Sequence, residues 1–308
     1  MTQLIFSIID AILDAILEKS GIIGAIEEVK RNACIQLYKT GISLWNAMTT
    51  QAFTFAGISP ADVDAASYQM VTDLANLLVA VAASILTTAY LYRFYKTFNE
   101  SRESADMYAI IKVTIMLFIA EYAVMNAPGL CNQVIGIGSA LCNLIEASSN
   151  SSLTVSTDVM DLLNNGTPGI PTMLVMLVFC VCLIVTGAGV LITVVQRLLK
   201  LFVMLPFAGM ALATVVGGGR VSDVGYSYIR AFIGFCIEGA AIILILVVGN
   251  NIVSGNLLYR AFDGIIFDSD SANFWRIVVG LLGQILGCGA ISATVKQADQ
   301  LVHRMFGL

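Results

Sequence analysis

Apolar and polar positions in residues 1–18 recur with a helical period. Ile5, Ile9, Ile12, Leu13 and Ile16 fall on one face, and Asp10, Asp14 and Glu18 fall on the other. The pattern predicts an amphipathic N-terminal helix that lies on a bilayer or partner surface, or packs against the rest of the chain. A more polar stretch follows to residue 72, with Lys30, Arg31 and the turn signal Ser59-Pro60-Ala61-Asp62. Residues 1–72 therefore read as an N-terminal, extracytoplasmic region and residues 73–308 as a transmembrane domain.

From Leu74 the pattern changes to long uncharged runs. Leu74 to Tyr92 is a run of 19 residues, close to the ~20 that cross the hydrocarbon of a bilayer as a helix. Residues 108–126 form a second run, interrupted by Lys112 and Glu121, and residues 171–195 a third. The fourth, 231–252, contains Glu238, and the fifth is 277–295. Residues 201–216 are uncharged but short; Pro206 interrupts them and Gly217-Gly218-Gly219 ends them. That combination predicts a broken or re-entrant segment. The fold class expected is all-α and polytopic, with five spans, one short broken segment and the amphipathic N-terminal helix.

Composition sharpens this reading. Of 308 residues, 58% are hydrophobic and only 12% charged, whereas soluble domains carry roughly 25% charged residues. Too few charges remain to cover a water-facing surface. The net charge of −5 also argues against a nucleic-acid-coating role.

The position of the cations then sets topology. No Lys or Arg occurs between Val113 and Val195, so the loop 127–169 is expected outside. Arg93, Lys96, Arg102, Arg197, Lys200, Arg220, Arg230, Lys296 and Arg304 fall inside if 201–216 does not cross. The loop after the fourth span, with Asp263, Asp268 and Asp270 against Arg260, falls outside. Lys19, Lys30, Arg31 and Lys39 dissent, although a long segment translocates despite its charges. The expectation is an N-terminus outside and a C-terminus in the cytoplasm. The first 17 residues lack a basic start and contain Asp10 and Asp14, so no cleavable signal is expected.

Candidate chemistry is sparse. Gly280, Gly283 and Gly287 line the last span, and the GxxxG pair within them lets helix backbones approach closely, inside one subunit or between subunits. Lys112, Glu121 and Glu238 are intramembrane ionisable groups. The preferred reading is a buried, hydrogen-bonded carboxylate that holds helices in register; a wet pathway or proton relay is the alternative. Phosphate loops, HExxH, GxSxG and metal-spaced His/Cys sets are absent, so neither enzymatic activity nor a cofactor is expected. His303 beside Arg304 reads as a surface residue. Cys131 and Cys142 are the one plausible disulfide pair, but if a single helix joins them they stand about 16 Å apart, too far to bridge. The loop 127–169 holds an apolar, helix-like stretch with Glu146, Asp158 and Asp161, suited to docking a protein partner.

The stretch Val194-Val195-Gln196-Arg197-Leu198-Leu199-Lys200-Leu201-Phe202-Val203-Met204-Leu205-Pro206-Phe207-Ala208-Gly209-Met210 resembles the central signature of the TrbL-like conjugal transfer family. A basic-ended span is followed by a Pro-containing apolar segment, a polar turn at Arg220-Val221-Ser222-Asp223 and a span opened by Tyr228-Ile229-Arg230. The resemblance follows span order over nearly the whole chain, and Tyr90-Leu91-Tyr92-Arg93 is similar to versions from Gram-positive conjugative elements. It implies a subunit of a type IV secretion system in the cytoplasmic membrane, assembled as a homo-oligomeric, pentameric ring at the base of a pilus or surface conduit. It also implies contacts with pilus or tip components, energy from cytoplasmic ATPases, and DNA or protein only as transit cargo. A self-contained small-molecule transporter or channel is the alternative.

Overall fold

The computed structural model describes residues 22–101, 107–147, 152–165, 169–255 and 272–305. The amphipathic stretch 1–18, Arg102, the acidic loop residues Asp263, Asp268 and Asp270 with Arg260, and the side chain of His303 lie outside the described residues. All regular structure among the described residues is helical.

The helices are α1 (Ile22–Gly57), α2 (Pro60–Val63), α3 (Ala65–Ser101), α4 (Met107–Met125), α5 (Ala127–Ala147) and α6 (Thr157–Asn165), then α7 (Ile170–Met204), α8 (Ala208–Thr214), α9 (Arg220–Ser254) and α10 (Ala272–Met305). Six stretches, 65–99, 108–125, 127–147, 170–217, 220–254 and 274–302, are long and apolar enough to cross a membrane, the pattern of a multi-pass membrane protein. The helix-like stretch expected within the outer loop is thus a full-length helix, α5, and raises the candidates from five to six. It is also the least apolar of them.

Local chemistry explains the breaks. The Ser59-Pro60 signal stands where expected: α1 ends at Gly57 and Pro60 opens α2. Asp64, extended at φ −152° and ψ 102°, then starts α3. Its carboxylate accepts the Ala66 N–H at 3.2 Å, the Ser67 N–H at 3.3 Å and the Ser67 hydroxyl, which satisfies N–H groups the helix itself leaves open. These bonds, the Ser67 hydroxyl first, hold the exposed Asp64 carboxyl below its ordinary range.

Pro206 breaks the helix as expected. Residues 205–207 tighten into a 3-10 turn and the Ala208 N–H bonds Leu205 O, which frees Met204 O; the Tyr228 hydroxyl donates to it at 2.7 Å. A second 3-10 turn at 215–217 closes α8, and Gly218 and Gly219 follow at φ 66° and 57°, the left-handed region that suits glycine. Arg93 Nη1 donates to Val216 O at 3.0 Å, satisfying a carbonyl at that end.

The chain forms two compact units. The first comprises Met1–Thr49, Ser151–Gly189 and Val248–Ser292, and the second Thr50–Asn150, Val190–Val247 and Ala293–Leu308. In the first, α1 presents Cys34, Tyr38, Ile42, Trp45 and Thr49 as a buried stripe with a helical period. Gly41 and Gly187 allow close packing: a Cβ on Gly41 would stand 3.2 Å from Phe179, and one on Gly187 2.7 Å from Met48 Sδ. In the second, α3 packs against α4, α8 and both 3-10 turns. Ala82, Leu86, Ala120, Val124, Ala213 and Val216 form one core cluster there. Ile135 and Cys131 of α5 join Leu201, Leu205, Phe232 and Cys236 in another.

Candidate functional site

The second unit buries a charged cluster around Arg197, which is 4% exposed. Arg197 continues the buried stripe of Val190, Val194 and Leu201 along α7, so the helix period carries its side chain inward. The guanidinium donates from Nε to Phe235 O at 2.9 Å, from Nη2 to Cys236 O at 3.2 Å and from Nη1 to Ala56 O at 3.0 Å. Ala56 lies in the last turn of α1, whose carbonyls lack helical partners and carry partial negative charge, so a cation there is favourable. Cys142 Sγ also donates to Ala56 O, at 3.4 Å.

Glycines open the space for this clamp. A Cβ on Gly239 would stand 2.5 Å from Arg197 Cζ, and one on Gly138 2.7 Å from Cys236 O. A larger residue at 138 would meet backbone and push α5 off α9, whereas one at 239 would displace the Arg197 guanidinium.

Glu238 is 2% exposed, and its Oε2 is the one buried side-chain polar atom without a hydrogen-bond partner among the described residues. Charges of Lys200, Asp299 and Arg197 act on it. Lys200 Nζ pairs with Asp299 Oδ2 at 2.7 Å and stands 5.0 Å above the centre of the Phe235 ring. Lys200 and Asp299 are partly open, with side chains 40% and 34% exposed. The arrangement can hold or release a proton and can clamp helices.

Of the residues expected to carry function, the structure gathers Arg197, Lys200 and Glu238. Glu238, expected as a buried hydrogen-bonded carboxylate, is buried, and its Oε2 lacks a partner among the described residues. Lys112 and Glu121 lie apart, both exposed on α4 rather than turned into the protein, because α4 buries little beyond Val113, Ala120 and Val124. Arg230 and Arg220 are exposed, and Pro206 is buried at the break. Gly280, Gly283 and Gly287 are buried within the chain, and a Cβ on Gly287 would meet Val253 Cγ2 of α9, so this part of the stripe serves packing within the chain. Cys131 and Cys142 sit on one helix and all seven cysteines are free thiols.

Sequence reasoning placed Arg197 among the basic residues of a cytoplasmic helix end and so missed the clamp. The available signal was its register with the apolar stripe of α7. No groups of three or more His, Cys, Asp or Glu that could hold a metal occur among the described residues. No family model, no curated protein and no solved structure matches the chain.

Proposed function

We propose that this chain is a membrane-embedded channel or assembly-platform subunit of a conjugative type IV secretion system, working as a homo-oligomeric ring at the base of a pilus or surface conduit. The observation that carries an assembled state is α4. It leaves Ile111, Ile115, Phe118, Ile119 and Tyr122 exposed together with Lys112 and Glu121. Residues 112 and 121 are nine apart and fall on opposite faces of the helix. Charges on a span are costly against acyl chains and normally face protein or water. Neighbouring subunits or an aqueous lumen would relieve both faces. The likeness of residues 194–230 to the TrbL-like family supplies the secretion context, with a five-membered ring, pilus or tip components as partners, and cytoplasmic ATPases as the source of energy.

In this reading the protein occupies the cytoplasmic membrane with its N-terminus outside and its C-terminus inside. Five helices cross, α5 lies at the outer face, and the segment broken at Pro206 turns back without crossing. A crossing α5 would carry Arg197 and Lys200 to the outside, against the distribution of positive charge. An impermeant thiol reagent applied outside should then label a cysteine at Ser152 and spare one at Ser222, in a variant freed of native cysteines. The reversed pattern would establish α5 as the sixth span.

Imaging or native mass of the purified complex tests the assembly. A closed homo-oligomeric ring is expected. A monomer that moves a small solute across vesicles would instead establish the self-contained transporter, the reading favoured by the buried Arg197–Glu238 cluster.

A further inference from the structure

Arg197 and Glu238 are both buried in the second unit, yet the guanidinium spends three N–H groups on backbone carbonyls while Glu238 Oε2 has no partner. A carboxylate anion left this way would be costly, because burial removes water and no hydrogen bond to Oε2 replaces it. A neutral carboxylic acid carries no such charge, so the observed arrangement fits the protonated form.

The surrounding groups define what happens when the proton leaves. Arg197 and Lys200 come from α7 and Asp299 from α10, with the thiols of Cys142 on α5 and Cys236 on α9 beside the guanidinium. Lys200 is already engaged by Asp299 at 2.7 Å. Arg197 keeps its proton under all ordinary conditions and has five N–H donors in a fork that matches a carboxylate. It rests against Gly239, the residue next to Glu238. The weakest anchored of its three carbonyl partners to replace is Ala56 O, since Phe235 and Cys236 lie on Glu238's own helix and move with it.

We propose that Glu238 is a proton-binding site whose deprotonation draws the Arg197 guanidinium from Ala56 O to the new carboxylate, releasing the C-terminal end of α1. The proton passes to solvent, the Arg197–Ala56 hydrogen bond breaks, and an Arg197–Glu238 ion pair forms. Ala56 O then keeps only the weak Cys142 thiol donor. The device would couple local proton concentration to the seating of residues 50–57, whatever the chain conducts, and so stands independently of the secretion reading.

The test uses the full chain in lipid nanodiscs, with spin labels on genetically encoded keto residues at Thr54 and Ala140, both exposed and in the same unit. This chemistry leaves the native thiols in place. The distance distribution of the wild type should shift to longer values between acidic and alkaline pH, while Glu238→Gln should show the acidic distribution at both. An unchanged wild-type distribution, or a Gln variant that shifts as the wild type does, overturns the proposal. If Glu238→Gln does not fold, infrared spectra of the wild type with labelled glutamate decide the matter. A protonated buried carboxyl band that disappears at the pH of the distance shift supports the site, and its absence at acidic pH rules it out.

Discussion

The two units bury polar groups in opposite ways. In the first, the groups are neutral and saturated. Trp45 Nε1 donates to Asn250 Oδ1 at 3.1 Å, and the Asn46 amide makes two bonds to the Leu153 backbone at 2.8 and 2.9 Å. The Tyr38 hydroxyl accepts the Ser156 N–H at 3.1 Å and bonds the Gln284 amide. Burial pushes the Tyr38 phenol up, which keeps the hydroxyl protonated. In the second unit the buried groups, Arg197 and Glu238, are ionisable, and Glu238 Oε2 is unsatisfied. Neutral saturated bonds fix helix register at small net gain per bond, whereas an ionic cluster with a bare oxygen stores a large penalty that a proton or a shift of Arg197 can relieve. The difference separates a unit built for register from one built to respond.

Four substitutions or conditions would break or sharpen that contrast. The largest effect is expected for Arg197→Met. It removes the cation that caps α1 and the three charge-assisted hydrogen bonds to Ala56, Phe235 and Cys236, at a cost of about 3–5 kcal/mol. Thermal unfolding in nanodiscs should show a large drop in midpoint, and Cys142, fully buried in the native chain, should become open to thiol reagents. A near-native midpoint would mean that the clamp contributes little to the second unit.

Gly287→Leu acts in the first unit by overfilling. Its side chain would be forced against Val253, where even a Cβ would collide with Cγ2, and should cost about 1–3 kcal/mol while insertion persists. If subunit number falls but the thermal midpoint does not, the glycine stripe serves assembly after all, and the close contact seen within the chain is not its main role.

Trp45→Phe keeps the aromatic bulk and deletes one neutral hydrogen bond, so a loss of about 0.5–1.5 kcal/mol is expected. A loss as large as that of Arg197→Met would erase the distinction between saturated neutral and ionic burial.

The smallest effect belongs to Asp64. Its carboxyl is held below the unfolded value by bonds from Ser67 and Ala66. Its contribution is therefore fully present above the unfolded carboxylate value and fades as pH falls through the lower folded value. Amide exchange at Ala66 and Ser67 should accelerate on the acidic side in the wild type. In Asp64→Asn that acid-dependent change should be missing, because an amide caps without titrating.

Much of the fold was legible because its signals act within a turn or two of chain. Long uncharged runs, Pro206, the Ser59-Pro60 turn and the positive-φ glycines at 218 and 219 set an all-helical, membrane-class chain and the break after Met204. The extent of α5 was less legible, since Asn132, Gln133, Asn143 and Glu146 dilute its hydropathy while its buried face, Cys131, Ile135, Gly138 and Cys142, is continuous. Residues 22–57 read as polar for a similar reason: Lys30, Arg31 and Lys39 mask the stripe running from Cys34 to Ala56.

The site was not legible, and the reason is geometric. A residue type and its helical phase fix which way a side chain points, but not what stands there. Arg197 becomes a clamp only because Ala56, Phe235 and Cys236, distant in sequence, bring three carbonyls within reach of one guanidinium, and because Gly239 leaves room for it. Lys112 and Glu121 meet no such convergence and stay on the surface of α4, while Glu238 is enclosed. The sequence by itself determined the helices, their breaks and the membrane as solvent, because these follow from hydropathy and backbone chemistry along the chain. Only the tertiary structure decided which charges are buried together and which oxygen goes without a partner, because burial depends on where separate helices cross.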